Sequence, residues 1–224
     1  MNTINTFKHR IKVTFLKVYR RLIGSVSQYG EDVILDRLLG KKKVGFFLDI
    51  GANHPRKFSN TFRFSKRGWV GVNVEPDPEL YKRFPKERPN DINLNVGVGP
   101  INGKMPFYKI SADTLSTFNK EAADKAIQDG HKLINTITVP VISLEMLLEK
   151  YKPNGNIDFM SLDVEGFEME VLKSNDWSRF RPYLIIVEVD KGGESIKSYL
   201  KGVGYRENFN NGTNCIFIDD GYNL

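Results

Sequence analysis

The sequence predicts an α/β fold in which a mostly parallel β-sheet carries helices on both faces. From residue 44 onward, short β-rich runs alternate with helical patterns, and no repeat or low-complexity segment interrupts them. The β-rich runs are nearly all apolar, which is typical of strands covered on both faces. The length of 224 residues and a composition of 40% hydrophobic and 27% charged residues suit one globular domain and exclude disordered, collagen-like and coiled-coil chains.

The individual strands and helices are assigned from apolar runs and helix-capping signals. Five strands are predicted at residues 44–50, 69–75, 92–98, 157–163 and 183–189. Each strand ends on or next to a polar residue, and open α/β sheets bind ligands at the carboxyl ends of their strands. Ser143 precedes an apolar run as an N-cap residue does. Helices are predicted at residues 28–39, 58–66, 77–85, 143–151, 166–174 and 193–202.

Two further segments depart from this alternation. Residues 205–218 form two β-rich runs around an Asn/Gly-rich turn, which predicts an antiparallel pair at one edge of the sheet. Residues 99–142 are irregular, with short strands predicted at 104–110 and 136–142 around a polar helix near 119–129. This insertion either covers a substrate or extends the sheet.

Residues 1–26 form a separate basic segment in front of the domain at 27–224. The segment holds six of the chain's 33 lysines and arginines and none of its 27 acids, so the rest of the chain is neutral. Apolar residues recur at helical spacing from Ile4 to Leu22, which predicts a basic amphipathic helix. Three interpretations stay open: packing on its own domain or a second subunit, docking on a membrane surface, and nucleic-acid binding. The last is disfavoured because the body lacks a basic stripe.

The segment does not resemble a secretory signal, because cations interrupt it throughout. No apolar run approaches the ~18 residues that span a bilayer. The lone Cys215 cannot form an internal disulfide, which fits a reducing compartment. We therefore expect a cytoplasmic protein, free or at the inner face of the membrane, with no nucleic-acid partner.

The first predicted strand ends in an acid, Asp49, and a single glycine, Gly51, follows in the turn. Glycine lets backbone approach a ligand closely, and the next helix supplies free N–H groups. The three-glycine fingerprint that holds a dinucleotide pyrophosphate is missing. A carboxylate here repels a pyrophosphate and attracts an amino group or a sulfonium, so the residues favour S-adenosylmethionine over NAD or ATP. Alternatively, Asp49 caps the following helix.

The second predicted strand ends in Glu75, which is well placed to accept hydrogen bonds from two ribose hydroxyls. Enzymes that use NAD share this feature, so it indicates an adenosyl ligand without choosing between the cofactors. Asn95, near the end of the third strand, is a candidate partner for an adenine edge or a simple turn residue.

The fourth and fifth strands bring three more acids to the same edge. Asp163 and Glu165 are two residues apart on an extended segment and therefore share a face, and Glu188 ends the fifth strand. A desolvated carboxylate has a raised pKa and accepts protons better. The acids alternatively hold a divalent metal, with His54 completing its shell, or serve only as helix caps and salt-bridge partners. We predict no metal.

Together these residues resemble the FkbM-type family of S-adenosylmethionine-dependent methyltransferases over about residues 27–190. Arg181-Pro182 and Glu188 extend the resemblance. Its main motifs are Ser27-Gln28-Tyr29-Gly30-Glu31-Asp32, Phe47-Leu48-Asp49-Ile50-Gly51-Ala52-Asn53, Gly68-Trp69-Val70-Gly71-Val72-Asn73-Val74-Glu75-Pro76, Ser116-Thr117-Phe118 and Asp158-Phe159-Met160-Ser161-Leu162-Asp163-Val164-Glu165-Gly166-Phe167-Glu168.

The resemblance implies a class I methyltransferase fold, a Rossmann-like three-layer fold with strand order 3-2-1-4-5-7-6 and an antiparallel strand seven. It also implies O-methylation of a sugar, glycolipid, polysaccharide or secondary metabolite. The implied cofactor residues are Asp49, Gly51, Asn53, Glu75 and Asn95. Pro55 stands where many members have glycine and removes one N–H from the cofactor loop.

Roles in catalysis follow from the same resemblance and from the chemistry of methyl transfer, which removes a proton from the acceptor hydroxyl. We assign Asp163 or Glu188 as the base and Glu165 or His54 as its orienting partner. The expected acceptor-binding residues are Gln28, Tyr29, Ser116 and Thr117. The alternatives are an NAD-dependent oxidoreductase, a non-catalytic domain that binds a cofactor or partner, and a nucleic-acid methyltransferase.

Overall fold

The computed structural model describes residues 19–152, 155–189 and 193–223. The predicted N-terminal helix falls mostly on residues 1–18, which lie outside the described residues, and residues 19–23 are helical. Within the described ranges, no helix has the length and apolar character that crossing a membrane requires.

Within the described residues, ten strands make up two sheets. Their bounds are β1 Phe46–Ile50, β2 Val70–Val74, β3 Ile92–Leu94, β4 Gly97–Val98, β5 Gly103–Ile110, β6 Leu133–Ile142, β7 Phe159–Leu162, β8 Leu184–Glu188, β9 Tyr205–Asn210 and β10 Asn214–Asp219. The main sheet has seven strands in the order β3-β2-β1-β7-β8-β10-β9. The first five of these are parallel, whereas β10 is antiparallel to both β8 and β9. This is the predicted class I methyltransferase topology, with the predicted hairpin at its edge.

The helices connect these strands close to their predicted positions. Their bounds are α1 Glu31–Leu38, α2 Phe62–Arg67, α3 Pro78–Tyr81, α4 Phe84–Glu87, α5 Lys120–Gln128, α6 Leu144–Tyr151, α7 Glu168–Lys173 and α8 Glu194–Gly202, with one 3₁₀ turn at Asp113–Leu115. Ser143 is the N-cap of α6, where its hydroxyl accepts a hydrogen bond from Met146 N at 3.1 Å.

The single helix predicted at 77–85 is wrong, because this segment forms α3 and α4 separately. Pro85 lies in the first turn of α4 and has no N–H to donate to the preceding turn.

The single strand predicted at 92–98 is also wrong. The segment divides into β3, which pairs with β2, and β4, which pairs with β6 in the other sheet. The amide of Asn95 turns the chain between them by donating to the carbonyl oxygens of Glu75 and Pro76 at 2.8 and 3.1 Å.

Residues 99–142 supply β5 and β6, which join β4 in a separate three-stranded sheet of order β4-β6-β5, so they do not extend the main sheet. The predicted strands and polar helix are confirmed as β5, β6 and α5.

Both faces of the main sheet are buried, as its apolar strands require. Phe47 and Phe159 lie on one face beside Phe64 and Trp69, and the ring centroids of Phe64 and Phe159 are 4.7 Å apart. The alternate residues of β1, including Leu48, contribute to a larger apolar cluster on the other face. This packing fixes where the carboxyl ends of the strands lie.

A buried guanidinium ties together the first three strands. Arg88 is 1% exposed and donates from Nε to Asp91 at 2.6 Å, from Nη1 to the carbonyl oxygen of Pro55 at 2.9 Å, and from Nη2 to Thr61 Oγ1 at 3.1 Å and Asn73 Oδ1 at 3.2 Å. These partners lie on the loop after β1, the start of α2, β2 itself and the turn before β3.

We predict that Arg88→Met destabilises the protein by about 3–5 kcal/mol, because it leaves the Asp91 carboxylate buried without its ion-pair partner. Arg83→Met is the matched control on an exposed arginine and should change the free energy of unfolding by less than about 0.5 kcal/mol. Urea unfolding of both variants measures the difference. Equal stability of the two variants would show that the network is not a structural support.

Candidate active site

A cavity of about 480 Å³ opens at the carboxyl ends of β1, β2, β7 and β8. The segment between β5 and α5 supplies its opposite wall, including Asp113, Ser116 and Phe118. The insertion at residues 99–142 therefore borders the cavity, which is the position that a substrate-covering segment would have. Nine residues predicted for the site line this cavity: Gln28, Asp49, Gly51, Asn53, Glu75, Ser116, Asp163, Glu165 and Glu188.

Asp49 ends β1 with its carboxylate buried at the cavity floor. Thr61 Oγ1 donates a hydrogen bond to Asp49 Oδ2. Burial raises the pKa of Asp49 above its ordinary value, and the Thr61 hydrogen bond and the charge of Arg88 partly offset that rise. The site therefore holds a carboxylate that gains from a cationic ligand.

Gly51 has φ 81°, and a Cβ built on it would lie 1.7 Å from the carbonyl oxygen of Asp163. The constraint arises within the fold, because the ends of β1 and β7 meet here, with Asp163 N donating to Ile50 O at 3.0 Å. Glycine at this position thus brings Asp49 and Asp163 to the same cavity.

Glu75 is buried at the end of β2, and its two carboxylate oxygens accept hydrogen bonds from Asn53 N and Asp77 N, both at 2.7 Å. Burial raises its pKa to about 8, despite these two hydrogen bonds. Each oxygen keeps a second lone pair, so the carboxylate can still accept from a ligand diol.

Three non-glycine residues of the cavity wall have left-handed backbone conformations. Asn53, Phe58 and Glu165 have φ values of 47°, 61° and 54°. Asparagine tolerates this region, but phenylalanine and glutamate are strained there. Strain of this kind is concentrated at ligand-binding sites, where the surrounding structure holds it.

Asp163, Glu165 and Glu188 form a carboxylate cluster, and one oxygen of each lies within 4.8 Å of the others. The pKa of Asp163 is raised well above its ordinary value, first by burial and then by the negative charges of Glu188 and Glu165. The carboxyl groups of Asp163 and Glu188 are close enough to hydrogen-bond to each other, and such a bond forms only when one of the two carries a proton. The cluster can therefore take up a proton, and its hard oxygen atoms also suit a divalent cation.

The N-cap residue of α7 is Phe167, whose side chain makes no capping hydrogen bond, so neither Asp163 nor Glu165 occupies the N-cap position; Glu168 instead organises the turn that precedes the helix. Glu168 Oε1 accepts hydrogen bonds from Val164 N at 3.1 Å and Gly166 N at 3.2 Å. This interaction shapes the turn that leads into α7 and leaves Asp163 and Glu165 on the cavity wall.

The other four predicted residues are not among the described residues that line the cavity. His54 Nδ1 accepts hydrogen bonds from Arg56 N and Lys57 N, both at 3.1 Å, so it organises the turn after β1. Burial, together with the charge of Arg83, lowers its pKa. Asn95 uses both amide hydrogens in the turn after β3, which leaves only Oδ1 for a ligand.

Tyr29 and Thr117 lie next to cavity-lining residues. The hydroxyl of Tyr29 accepts a hydrogen bond from Gln28 Nε2 at 3.2 Å. Thr117 Oγ1 donates to the carbonyl oxygen of Val164 at 3.4 Å and accepts from Asn119 N at 2.9 Å. The hydrogen bonds of both residues are therefore made to neighbouring protein groups, and a role in acceptor binding stays a prediction.

Several cavity residues were not predicted from the sequence. Ser161 Oγ accepts a hydrogen bond from Asn60 Nδ2 at 3.1 Å, and both residues line the cavity with Lys57 and Phe58. Strand alternation places Ser161 on the same face as Asp163, so this residue was accessible to sequence reasoning. Residues 57–60 carry no comparable signal, because they lie in a loop.

The residues fit a ligand that carries a ribose and a positive charge. Glu75 offers carboxylate oxygens to a diol, and Asp49 and the carboxylate cluster concentrate negative charge beside it. A pyrophosphate would meet only one lysine or arginine among the described lining residues, Lys57.

Comparison with known proteins agrees with this geometry. A family model described as "Methyltransferase FkbM domain" matches residues 49–207. A search of the curated proteins gave no match.

Two solved structures are similar to the chain. A TehB-like SAM-dependent methyltransferase from Corynebacterium glutamicum ATCC 13032 Kitasato has 12% identity and a TM-score of 0.47, over 95% of this chain and 98% of that chain. The METTL16 MTase domain has 15% identity and a TM-score of 0.44, over 85% of this chain and 66% of that chain.

We predict that Glu75 makes the ligand-free protein less stable as the pH rises. Because its folded pKa of about 8 exceeds the unfolded value, its stabilising contribution is complete below about pH 4.5 and is lost through pH 8. The loss has a maximum slope of about 1.4 kcal/mol per pH unit. Glu75→Gln should remove this component, which urea unfolding between pH 5 and 8 measures. An identical pH dependence in both proteins would contradict the assignment.

Proposed function

The chain belongs to the FkbM methyltransferase family of S-adenosylmethionine-dependent enzymes, and we propose that it methylates a hydroxyl of a sugar, glycolipid, polysaccharide or secondary metabolite. The observation that carries the proposal is the carboxylate cluster of Asp163, Glu165 and Glu188, which supplies a proton acceptor where the cofactor site and the outer cavity meet. Methylation of an alcohol needs such a group, because the neutral hydroxyl must lose its proton as it reacts.

The cofactor is assigned to the inner part of the cavity. Glu75 accepts the ribose hydroxyls there, Asp49 faces the positive end of the cofactor, and Gly51 and Asn53 form the loop beside it. Arg88 holds this loop in place by donating to the Pro55 carbonyl oxygen at 2.9 Å.

When bound, S-adenosylmethionine supplies a methyl group whose carbon–sulfur bond breaks as the acceptor oxygen bonds to the carbon, with the electron pair leaving on sulfur. The acceptor hydroxyl loses its proton in this step, and we assign a carboxylate oxygen of Asp163 as the proton acceptor. Glu188 holds Asp163 in place and raises its pKa, which increases its basicity. Glu165 adds a further negative charge.

The outer part of the cavity supports a polyhydroxylated acceptor. Gln28, Asn60 and Ser116 offer amide and hydroxyl groups, and Phe58 contributes an aromatic ring. A few polar groups around an aromatic surface can orient a sugar ring, with its hydroxyls hydrogen-bonded and its C–H face on the aromatic ring. The cytoplasmic location stays a prediction from the sequence.

The first test is thermal unfolding with S-adenosylhomocysteine, with NAD, and without ligand. A ligand at ~100 times its Kd stabilises the folded state by about 2.7 kcal/mol. Stabilisation by S-adenosylhomocysteine alone is expected. Stabilisation by NAD alone would indicate an oxidoreductase.

S-adenosylhomocysteine release in the presence of sugars and glycolipids would then identify an acceptor, and its absence with every hydroxylated compound would count against O-methylation.

We predict that Asp163→Asn lowers the rate of methyl transfer by about 10²–10⁴-fold, because the amide cannot accept the proton. S-adenosylhomocysteine affinity should stay within about threefold, since the loss is confined to the chemical step. Asp129→Asn, on an exposed residue at the end of α5, is the matched control and should leave both unchanged. An Asp163→Asn enzyme with an unaltered rate would rule out this base.

We also predict that Glu188→Gln moves the ascending limb of the pH–rate profile to lower pH. Removing the negative charge of Glu188 lowers the pKa of Asp163, so the base ionises at lower pH. Initial rates between pH 5 and 9 measure this shift. A limb that stays in place, or moves to higher pH, would show that another group titrates.

A further inference from the structure

We propose that the rim of the cavity docks on an anionic lipid surface, so that a lipid-linked acceptor enters the cavity from the bilayer. The acceptor part of this inference rests on the proposed function, whereas the docking part does not. The rim patch consists of six residues from the end of the N-terminal helix and from the loop after β1: Tyr19, Arg20, Arg21, Leu22, Lys57 and Phe58.

The patch is continuous with the cavity. Phe58 and Lys57 line the cavity, and the Arg20 guanidinium lies 4.9 Å from the centroid of the Phe58 ring. The Lys57 ammonium lies 5.0 Å from the same ring. A β-bridge between Ser27 and Phe58 joins the two segments directly. Whatever binds the patch therefore lies at the entrance of the cavity.

The patch exposes large apolar side chains. Leu22 is 81% exposed, Tyr19 43% and Phe58 40%. Single exposed apolar residues are ordinary on protein surfaces, but three on adjoining segments with cations among them are typical of interfacial binding. Tyrosine and phenylalanine suit the boundary between headgroups and acyl chains, and Leu22 gains free energy only by leaving water.

The charge of the patch favours an anionic partner. The described residues provide carboxylates for Arg63 and Arg67 on neighbouring α2 but none within ion-pair distance of Arg21 or Lys57. A second cavity of about 340 Å³ is lined by Gly24, Val26, Phe62, Arg63, Lys66 and Arg67, and of its three cations only Lys66 has no ion pair with a carboxylate of the described residues. Each cation of such a cluster adds to the electrostatic attraction toward anionic headgroups, and salt screens this attraction, so binding should weaken as the salt concentration rises.

The same features disfavour the other occupants. Residues 1–26 contain no acid, so two copies of this face would repel each other. Nucleic acid would satisfy the cations but leave Leu22 in water. In the sequence, Ile4, Phe7, Ile11, Phe15, Val18 and Leu22 recur at helical spacing, which predicts an amphipathic helix with Leu22 on its apolar face.

The test is flotation of the full chain with vesicles of phosphatidylcholine alone and of phosphatidylcholine with phosphatidylglycerol. The full chain should bind the anionic vesicles and dissociate at high salt. Arg21→Glu should lower the partition coefficient at least about fivefold, and Leu22→Glu more than about tenfold. The matched controls are Lys104→Glu and Ile134→Glu, on exposed residues of β5 and β6, and they should bind like the unmodified chain.

S-adenosylhomocysteine binding is measured on every variant and separates the two proposals. Normal cofactor binding with equal recovery from neutral and anionic vesicles, or with all four variants equivalent, would overturn the docking proposal and leave the proposed function standing. Vesicle binding by a protein that does not bind S-adenosylhomocysteine would overturn the proposed function and leave the docking proposal standing. Binding to anionic vesicles by the controls but not by the patch variants supports docking.

Two other occupants have their own readouts. A fall in sedimentation coefficient on Leu22→Glu in the absence of lipid would identify a second copy as the partner. A lower melting temperature of this variant, without any vesicle binding by the full chain, would show that the face packs within its own domain. Either result would overturn the proposal.

Discussion

The site depends on the buried guanidinium of Arg88. Its donors bind four segments at once, which are the loop after β1, the start of α2, strand β2 and the turn before β3. Thr61 Oγ1 accepts one of these hydrogen bonds and donates another to Asp49, so the position of the Asp49 carboxylate also depends on Arg88. A charge buried this deeply is tolerated only with all its hydrogen bonds made, so the guanidinium permits essentially one arrangement of these segments. The position of the cofactor loop is thus fixed from behind, by a residue outside the cavity lining.

In front of this network the fold collects negative charge at a cost in stability. Burial raises the pKa values of Asp49, Glu75 and Asp163, which means that the folded chain holds each carboxylate less favourably than water does. Groups with such shifts are concentrated at functional sites. In the proposed assignment, the sulfonium and ammonium groups of the cofactor would offset this repulsion, and its ribose diol would donate hydrogen bonds to Glu75. Binding should therefore stabilise the strand ends that carry these carboxylates.

The sequence was most informative where chemistry is tied to strand ends. Asp49, Glu75, Asp163 and Glu188 were identifiable because an apolar strand that ends in an acid places that acid at the ligand-binding edge of a parallel sheet. Arg88 was not identifiable, since it lies in the polar run Arg88-Pro89-Asn90-Asp91, which is typical of a solvated turn. Its burial follows from contacts with segments up to 33 residues away. The break between β3 and β4 was missed for a similar reason, because the amide of Asn95 bonds to the end of another strand.

Phe58 shows how one loop residue serves two surfaces. Its left-handed backbone is held by the β-bridge to Ser27, and its ring contacts the cations of both Arg20 and Lys57. Ser27 in turn donates to Asp32 at 2.9 Å, so the segment before α1 supports the strained residue. A ring fixed in this way forms part of the cavity wall and part of the rim patch at once. If both proposals hold, Phe58 would contact the lipid surface and the acceptor with the same side chain, so docking would be coupled to acceptor binding at this residue.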